Sequence, residues 1–416
     1  MSFPTPIDVG SAYIPCFGCI SVAIRLAKRM GSIYYEIRDV VARAKKVEAT
    51  GKKVHWFNIG DPNQFGFHPP AHVTKAIVDA LHDPKYSGYC PSEGAPELRA
   101  AIAKIDGVSP DYVTIHSGLS EGIDFIFSAL VNHGDNVMLP SPSYPLYNTK
   151  LRVSGGKDNF YRTDENFIPD TDDIRKKMNK RTKALVIINP NNPTGATYPR
   201  SVLQEMVDIA GENKVPIMAD EIYDKTTLDE DHSINLRTLT GELPLISGNG
   251  ISKNFLYPGA RFGYLAMHGE GMDGLLDALV KLCNQRLSVN LEMQRGALAA
   301  YTQPMSHLPA LKSELRKRRD IIYKGFNSIP GIQCAKPTAA FYCFPKIEAD
   351  CYKTDKDFAY AMLDETGVLV VPGSSFAPDL PGRFFRLVFL AQPDELHEAL
   401  GKIEKFVANN CRVRKK

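Results

Sequence analysis

No apolar run in this chain approaches the ~20 residues that a membrane span requires, which leaves no candidate for a spanning helix and no expected membrane partner. Charge of one sign is also scarce. The 50 Lys and Arg against 47 Asp and Glu leave a net charge of +3, which argues against nucleic acid or another polyanionic partner. The basic end Arg412-Val413-Arg414-Lys415-Lys416 reads as a solvated tail. Internal repeats and low-complexity tracts are missing. The opening Met1-Ser2-Phe3-Pro4-Thr5-Pro6 carries no basic region and no long apolar stretch, so it does not read as a secretory signal. Cysteine is sparse. Eight in 416 residues suggest reduced thiols and a cytoplasmic location. Cys16-Phe17-Gly18-Cys19 has zinc-like spacing, but no second pair follows downstream, so two free thiols and no metal are expected.

What is present is the composition of an ordinary globular protein, 44% hydrophobic and 23% charged. The length exceeds one compact core and suggests two domains. Residues 22–49 read as helical with a break near Gly31, and Asn58-Ile59-Gly60-Asp61-Pro62 as a turn. From about 70 to 300, strand and helix patterns alternate as a parallel sheet demands. Beyond about 305 a basic helix (311–327) precedes short strands near 341–345, 368–371 and 383–389, then a closing helix from Pro393. The expected class is α/β. Residues 61–304 would form a large domain with a mostly parallel, helix-flanked sheet. A smaller α+β domain would be built from both chain ends, 1–60 and 305–416.

Within the large domain the polar motifs lie at the ends of apolar runs. The runs 184–188, 215–219, 244–246 and 262–267 read as buried strands. They lead into or flank Asn189-Pro190-Asn191-Asn192-Pro193-Thr194-Gly195, Asp220-Glu221-Ile222-Tyr223, Ser252-Lys253 and Arg261. In an open α/β sheet, ligands bind outside the carboxyl ends of the strands, so these groups are expected in one crevice. A lysine, an aspartate and an arginine together are the equipment for pyridoxal 5'-phosphate. That cofactor needs an amine for its aldehyde, an acid beside its pyridine nitrogen and a phosphate cradle. Gly118-Leu119-Ser120 follows a strand at 112–116 and opens a helix over 120–130. Such a helix N-terminus is a ready phosphate site, although Ser120 could equally be a plain N-cap. Tyr144, in Pro142-Ser143-Tyr144-Pro145, could stack on the pyridine face or be a half-buried core residue. The 189–195 segment could be an ordinary surface turn, since Asn, Pro and Gly are turn-formers. Gly269, Gly271 and Gly274 match a dinucleotide fingerprint after a strand and before a helix. The match falls late in the sheet, and only Glu292, in a helical pattern, stands near the expected acid. It is read as a surface loop.

The set 189–195, 220–223, Ser252-Lys253 with Arg261, and Arg386 in Phe384-Phe385-Arg386-Leu387 resembles that of the class I/II pyridoxal-phosphate aminotransferases with the fold type I, aspartate aminotransferase fold. The likeness runs from about 30 to 405. Tyr35-Glu36-Ile37-Arg38-Asp39, Asn58-Ile59-Gly60-Asp61-Pro62-Asn63 and Ser92-Glu93-Gly94-Ala95-Pro96-Glu97-Leu98-Arg99 resemble the alanine aminotransferase branch. The resemblance implies that Lys253 links to the cofactor and that Asp220 pairs its pyridine nitrogen. Asn192 and Tyr223 would hold the phenolate and Tyr144 would stack. Leu119, Ser120, Ser252 and Arg261 would serve the phosphate. Arg386 would clamp the substrate α-carboxylate, assisted by Asn192 and the Gly60 backbone. Tyr89, in Tyr89-Cys90-Pro91, would reach the phosphate of a neighbouring subunit, implying a homodimer with shared active sites. Three positions depart from the family pattern: Gly250 replaces a frequent hydroxyl, Tyr257-Pro258-Gly259-Ala260 lacks a bulky aromatic just before the arginine, and Leu119 exceeds the usual alanine.

The implied activity is ping-pong transamination between an L-amino acid and a 2-oxo acid, with alanine and 2-oxoglutarate favoured. Catalysis would rest on Lys253, Asp220 and Tyr223. Other readings of the same residues are an aminotransferase for aromatic or other amino acids, or a lyase, decarboxylase or oxidase on the same scaffold. A nicotinamide dehydrogenase would need the glycine motif to be genuine.

Overall fold

A computed structural model describes residues 24–33, 36–229 and 233–412. At its centre a seven-stranded sheet contains β2 (Val113–His116), β3 (Asn136–Pro140), β4 (Lys157–Tyr161), β5 (Thr182–Ile188), β6 (Ile217–Asp220), β7 (Leu245–Gly250) and β8 (Gly263–His268), in the order β2-β8-β7-β6-β5-β3-β4. The inner strands are buried on both faces because helices cover both, whereas the edge strand β4 is mostly polar and buries only Tyr161 fully. Along β5 the two sides separate with period two. Ala184, Val186 and Ile188 pack in one cluster with Met218, Ile246 and Leu265, while Leu185 and Ile187 join Ile217, Ala219 and Leu245 on the other side. Burying so many aliphatic side chains, each contributing roughly 1.5–3 kcal/mol, makes this sheet the rigid base of the site.

One strand runs backwards. All neighbouring pairs from β7 to β4 are parallel, but β8 is antiparallel to both β7 and β2. The alternation of strand and helix therefore fails between β7 and β8, which a turn and the 3-10 segment Pro258–Ala260 connect. The start of β8 consequently lies at the edge where the other six strands end.

The remaining strands are short: β1 (His55–Trp56), β9 (Ile332–Gln333), β10 (Tyr342–Cys343), β11 (Lys346–Ile347), β12 (Val368–Leu369), β13 (Val371–Pro372) and β14 (Phe385–Val388). β1 pairs in parallel with β12, which ties the N-terminal part of the chain to its C-terminal part. β10, β14 and β13 form an antiparallel sheet. The helices Leu308–Ser328, Asp355–Thr366 and Pro393–Asn410 enclose a core in which Phe326 contacts Phe385 and Phe358 contacts Phe406 edge-on, at 5.5 and 5.4 Å.

Two expectations are corrected here. Residues 24–27 are not helical. The expected break near Gly31 is present: among the described residues of this span a 3-10 turn at Lys28–Ser32 ends at the extended Ile33, and the α-helix runs over Glu36–Glu48. The cysteines are not all free. Cys351 and Cys411 are joined in a disulfide with Cα atoms 4.4 Å apart. Reciprocal backbone hydrogen bonds of 3.0 Å between Asp350 and Arg412 bring the two segments together there. A separation of 60 residues gives no local signal for that pairing. Cys90, Cys283, Cys334 and Cys343 are free thiols. Cys16 and Cys19, Tyr35, and residues 413–416 lie outside the described residues.

Candidate active site

Beyond the carboxyl ends of the parallel strands lies a cleft of about 540 Å³. Its lining includes Gly60, Leu119, Ser120, Tyr144, Asn192, Asp220, Tyr223, Ser252, Lys253, Arg261 and Arg386, so eleven of the residues singled out above come together. Tyr89 is 84% exposed and stands outside that lining. The glycine motif lies at the opposite edge of the sheet, where β8 ends, and Gly274 is already inside the helix Asp273–Arg286.

Asp220 closes β6 and is buried. The Tyr147 hydroxyl donates to its Oδ2 at 2.9 Å and the Ile222 N–H to its Oδ1 at 3.2 Å. Burial pushes the carboxyl up to about 6, while the Tyr147 hydrogen bond, the Ile222 N–H and the positive charge of Lys253 oppose it. Lys253 sits in the turn after β7. Its Nζ donates to the Gly60 carbonyl at 2.8 Å and lies 5.4 Å from the centre of the Phe341 ring.

The helix Leu119–Leu130 begins at the same edge, directly after β2. Its N-cap is Gly118, with φ +77° and no side-chain cap hydrogen bond, and its first residues Leu119 and Ser120 line the cleft. Arg261 rests against that turn: a Cβ on Gly118 would lie 2.2 Å from Arg261 Nη2, and the positive φ of Gly118 is the conformation that favours glycine there. Arg261 reaches this edge because β8 is reversed. The larger Leu119 is accommodated by β7, where a Cβ on Gly248 would meet Leu119 Cδ1 at 2.6 Å. Gly250 in turn lies against the Phe262 carbonyl, 2.6 Å from where a Cβ would stand, so no hydroxyl-bearing side chain fits there.

The 189–195 segment is not a surface turn. Asn189, Asn191, Asn192 and Thr194 are all buried, and Asn191 is bound internally to Tyr198 and Thr194. Buried amides of this kind need such partners. Asn192 Oδ1 accepts from Arg386 Nη1 at 3.1 Å, and the Asn58 carbonyl accepts from Nη2 at 2.5 Å. The guanidinium of Arg386 lies 4.6 Å from the centre of the Phe376 ring and 4.8 Å from that of Tyr342, a planar setting that orients its fork.

Two site residues escaped the sequence reading. Tyr147 stands on the apolar face of the helix Leu146–Val153, and Tyr342 within the run Phe341-Tyr342-Cys343-Phe344. Both look like core aromatics; the only available signal was that a buried tyrosine needs a hydrogen-bond partner. The assembled groups fit pyridoxal phosphate. An amine is available for its aldehyde, a buried carboxylate for its pyridine nitrogen and a phenol with an amide for its phenolic oxygen. Exposed helix N–H groups and a guanidinium are available for its phosphate.

Comparison with known proteins agrees with that chemistry. Residues 52–403 match the family described as aminotransferase class I and II. The glutamate-pyruvate aminotransferase AlaA of Haemophilus influenzae is 37% identical over 398 residues, covering 92% of this chain and 97% of the relative. An alanine aminotransferase of Mycobacterium tuberculosis is 34% identical, covering 93% of each chain. Among solved structures, an alanine aminotransferase from Pyrococcus furiosus superposes with a TM-score of 0.89 at 42% identity, covering 93% of this chain and all of that one.

Proposed function

Because the chain belongs to the class I and II aminotransferases, we propose that it exchanges an amino group between L-alanine and 2-oxoglutarate by a ping-pong route. The enzyme is a pyridoxal-phosphate-dependent transaminase. The observation that carries the substrate assignment is the likeness to proteins named alanine and glutamate-pyruvate aminotransferases over more than nine-tenths of this chain.

The bound cofactor supplies an electron sink for the charge that develops at the substrate Cα. Lys253 would hold the cofactor through its amine, and the same amine would serve as the base that moves the substrate Cα proton. Asp220 holds the positive charge on the pyridine nitrogen, and its burial strengthens that pairing. Tyr223 and Asn192 would hold the phenolic oxygen, and Tyr144 would stack on the ring. The N–H groups of Leu119 and Ser120, with Ser252 and Arg261, take the phosphate. Arg386 takes the α-carboxylate in its fork, beside Asn192 and the backbone at Gly60.

The test is a panel of amino donors with pyruvate and 2-oxoglutarate as acceptors. Alanine with 2-oxoglutarate should give the highest kcat/KM. An aromatic donor tenfold better would overturn the substrate, and decarboxylation or elimination without acceptor-dependent transfer would overturn the reaction. We also propose a cytoplasmic homodimer in which Tyr89 of one subunit serves the other's phosphate. Mixing Tyr89→Phe chains with Lys253→Ala chains should restore activity, since a mixed dimer concentrates both defects in one site. No recovery would show that sites are not shared.

A further inference from the structure

Tyr342 lies in the wall of the cleft yet has no part in the roles assigned above. Its hydroxyl oxygen is 2.7 Å from that of Tyr223, and both side chains are buried at 2% exposure. The rings meet nearly perpendicular, with centres 5.7 Å apart. A phenol carries one proton and can accept a further hydrogen bond. Burial, and then the adjacent Tyr342, push the Tyr223 phenol well above its ordinary value, so Tyr223 keeps its proton at neutral pH. Two arrangements of the pair are then open. If Tyr223 donates to Tyr342, its only proton is turned away from the cleft. If Tyr342 donates to Tyr223, the Tyr223 proton is directed at whatever acceptor occupies the cleft.

The position of Tyr342 is held on three sides. β10 carries it, paired with β14 so that Tyr342 stands opposite Val388, two residues beyond Arg386. Its ring lies against the Arg386 guanidinium. Its hydroxyl occupies the space beside Gly60, where a Cβ would stand only 2.2 Å from Oη. The carbonyl of that same Gly60 accepts from Lys253. The loop 189–195 braces the approach to β10, since the Gly195 carbonyl accepts from the N–H groups of Thr338 and Ala339 at 2.9 and 2.8 Å. One side chain from the C-terminal part of the molecule thus touches a phenol from the sheet edge, the buried arginine, and the backbone that holds the lysine.

We propose that Tyr342 is a positioning residue that donates its hydroxyl proton to Tyr223 and so commits the Tyr223 proton to the phenolic oxygen of the bound cofactor. This rests on the aminotransferase reading of the cleft. The chain of two hydrogen bonds polarises Tyr223 and makes it a stronger donor than an isolated tyrosine. A weaker donor leaves the phenolic oxygen richer in electrons, and the conjugated nitrogen of the lysine–cofactor linkage then holds its proton to higher pH.

The test is an absorbance titration of the pyridoxal-phosphate-loaded protein, following the pH midpoint of the colour change of the bound cofactor. Tyr342→Phe keeps the ring against Arg386 and removes only the donor. It should move the midpoint upward by the equivalent of roughly a threefold change in proton affinity. Tyr223→Phe should move it further in the same direction. The double variant should titrate like Tyr223→Phe alone, because Tyr342 acts only through Tyr223. An unmoved midpoint in Tyr342→Phe, even alongside a lowered thermal midpoint, would reduce Tyr342 to a packing residue and overturn the proposal. Additive shifts in the double variant would overturn it equally, by showing that Tyr342 acts without Tyr223. A wild-type protein that develops no colour with pyridoxal phosphate would instead refute the cofactor reading on which the proposal stands.

Discussion

The two edges of the central sheet are built from the same strands and differ in almost everything else. At one edge, Asp220 ends β6, Lys253 follows β7, the helix at Leu119 follows β2, and Arg261 precedes β8. At the other edge, β8 ends in Gly269-Glu270-Gly271, a sequence that imitates a nucleotide-binding turn. Gly269 has φ +81°, and a Cβ there would lie 2.5 Å from the Leu243 carbonyl oxygen, so this glycine serves the close approach of two loops. Glycine spacing alone does not distinguish a ligand turn from a packing turn; the edge on which it falls does, and strand direction determines the edge.

The comparison predicts loss of chemistry on one side and loss of stability alone on the other. The largest effect belongs to Lys253→Ala, which should lower turnover by on the order of 10³-fold or more with an unchanged circular dichroism spectrum. Activity within tenfold of wild type would remove Lys253 from the chemistry. Next is Asp220→Ala, expected to cost at least about 100-fold in kcat, since losing the partner of a buried cation costs several kcal/mol. A variant transaminating normally would require another residue to pair the pyridine nitrogen.

Asp220 also predicts a pH dependence for the cofactor-free protein. Its carboxyl is raised in the folded state to about 6 from an ordinary value of 3.8. The folded state therefore binds this proton more tightly than the unfolded chain does. The stability linked to it is complete below the unfolded value and is lost as pH rises through about 6. Above that pH the ionised, buried carboxylate costs roughly 3 kcal/mol at most. Cofactor-free Asp220→Asn should accordingly melt higher than wild type at pH 8 and no higher at pH 4. The opposite order would mean that the hydrogen bonds from Tyr147 and Ile222 already outweigh the burial.

A smaller effect is expected from Arg386→Lys. The fork of Arg386 is held by Asn192 and Asn58, and an ammonium cannot reproduce two parallel bonds to a carboxylate. KM for the amino acid should rise about 10- to 100-fold, equally for every donor, because all donors share the α-carboxylate. Unequal losses among donors would move this arginine from the carboxylate clamp to the specificity pocket. The smallest effect is at the far edge. Gly269→Ala should cost about 2 kcal/mol of stability and leave kcat/KM unchanged at a temperature where the protein stays folded. A fall in kcat/KM with stability intact would give the glycine turn a functional role after all.

Much of the site was legible because its chemistry is written in short segments. Asn-Pro-Asn-Asn-Pro-Thr-Gly, Asp-Glu-Ile-Tyr and Ser-Lys each close or follow an apolar run, and runs of that length in an α/β pattern become parallel strands with a common edge. The helix opening at Leu119, one residue before the expected Ser120, was legible for the same local reason. Tyr147 and Tyr342 were not, because each sits in an apolar pattern and its hydroxyl partner comes from elsewhere. The Cys351–Cys411 pairing was hidden similarly, with 60 residues between the two thiols.

By itself the sequence determined the identity of the reactive groups and the strand or helix end that each occupies, since both depend on neighbours within a few residues. Only the tertiary structure decided which of those ends meet. The reversed course of β8 delivers Arg261 to the edge it needs. Packing of the C-terminal core sets β10 and β14 against the cleft. There Tyr342 meets Tyr223 across 119 positions and Arg386 meets Asn192 across 194. Contacts at such separations are paid in chain entropy that no local preference supplies. They exist because burial of the apolar clusters on either side fixes the surfaces between them.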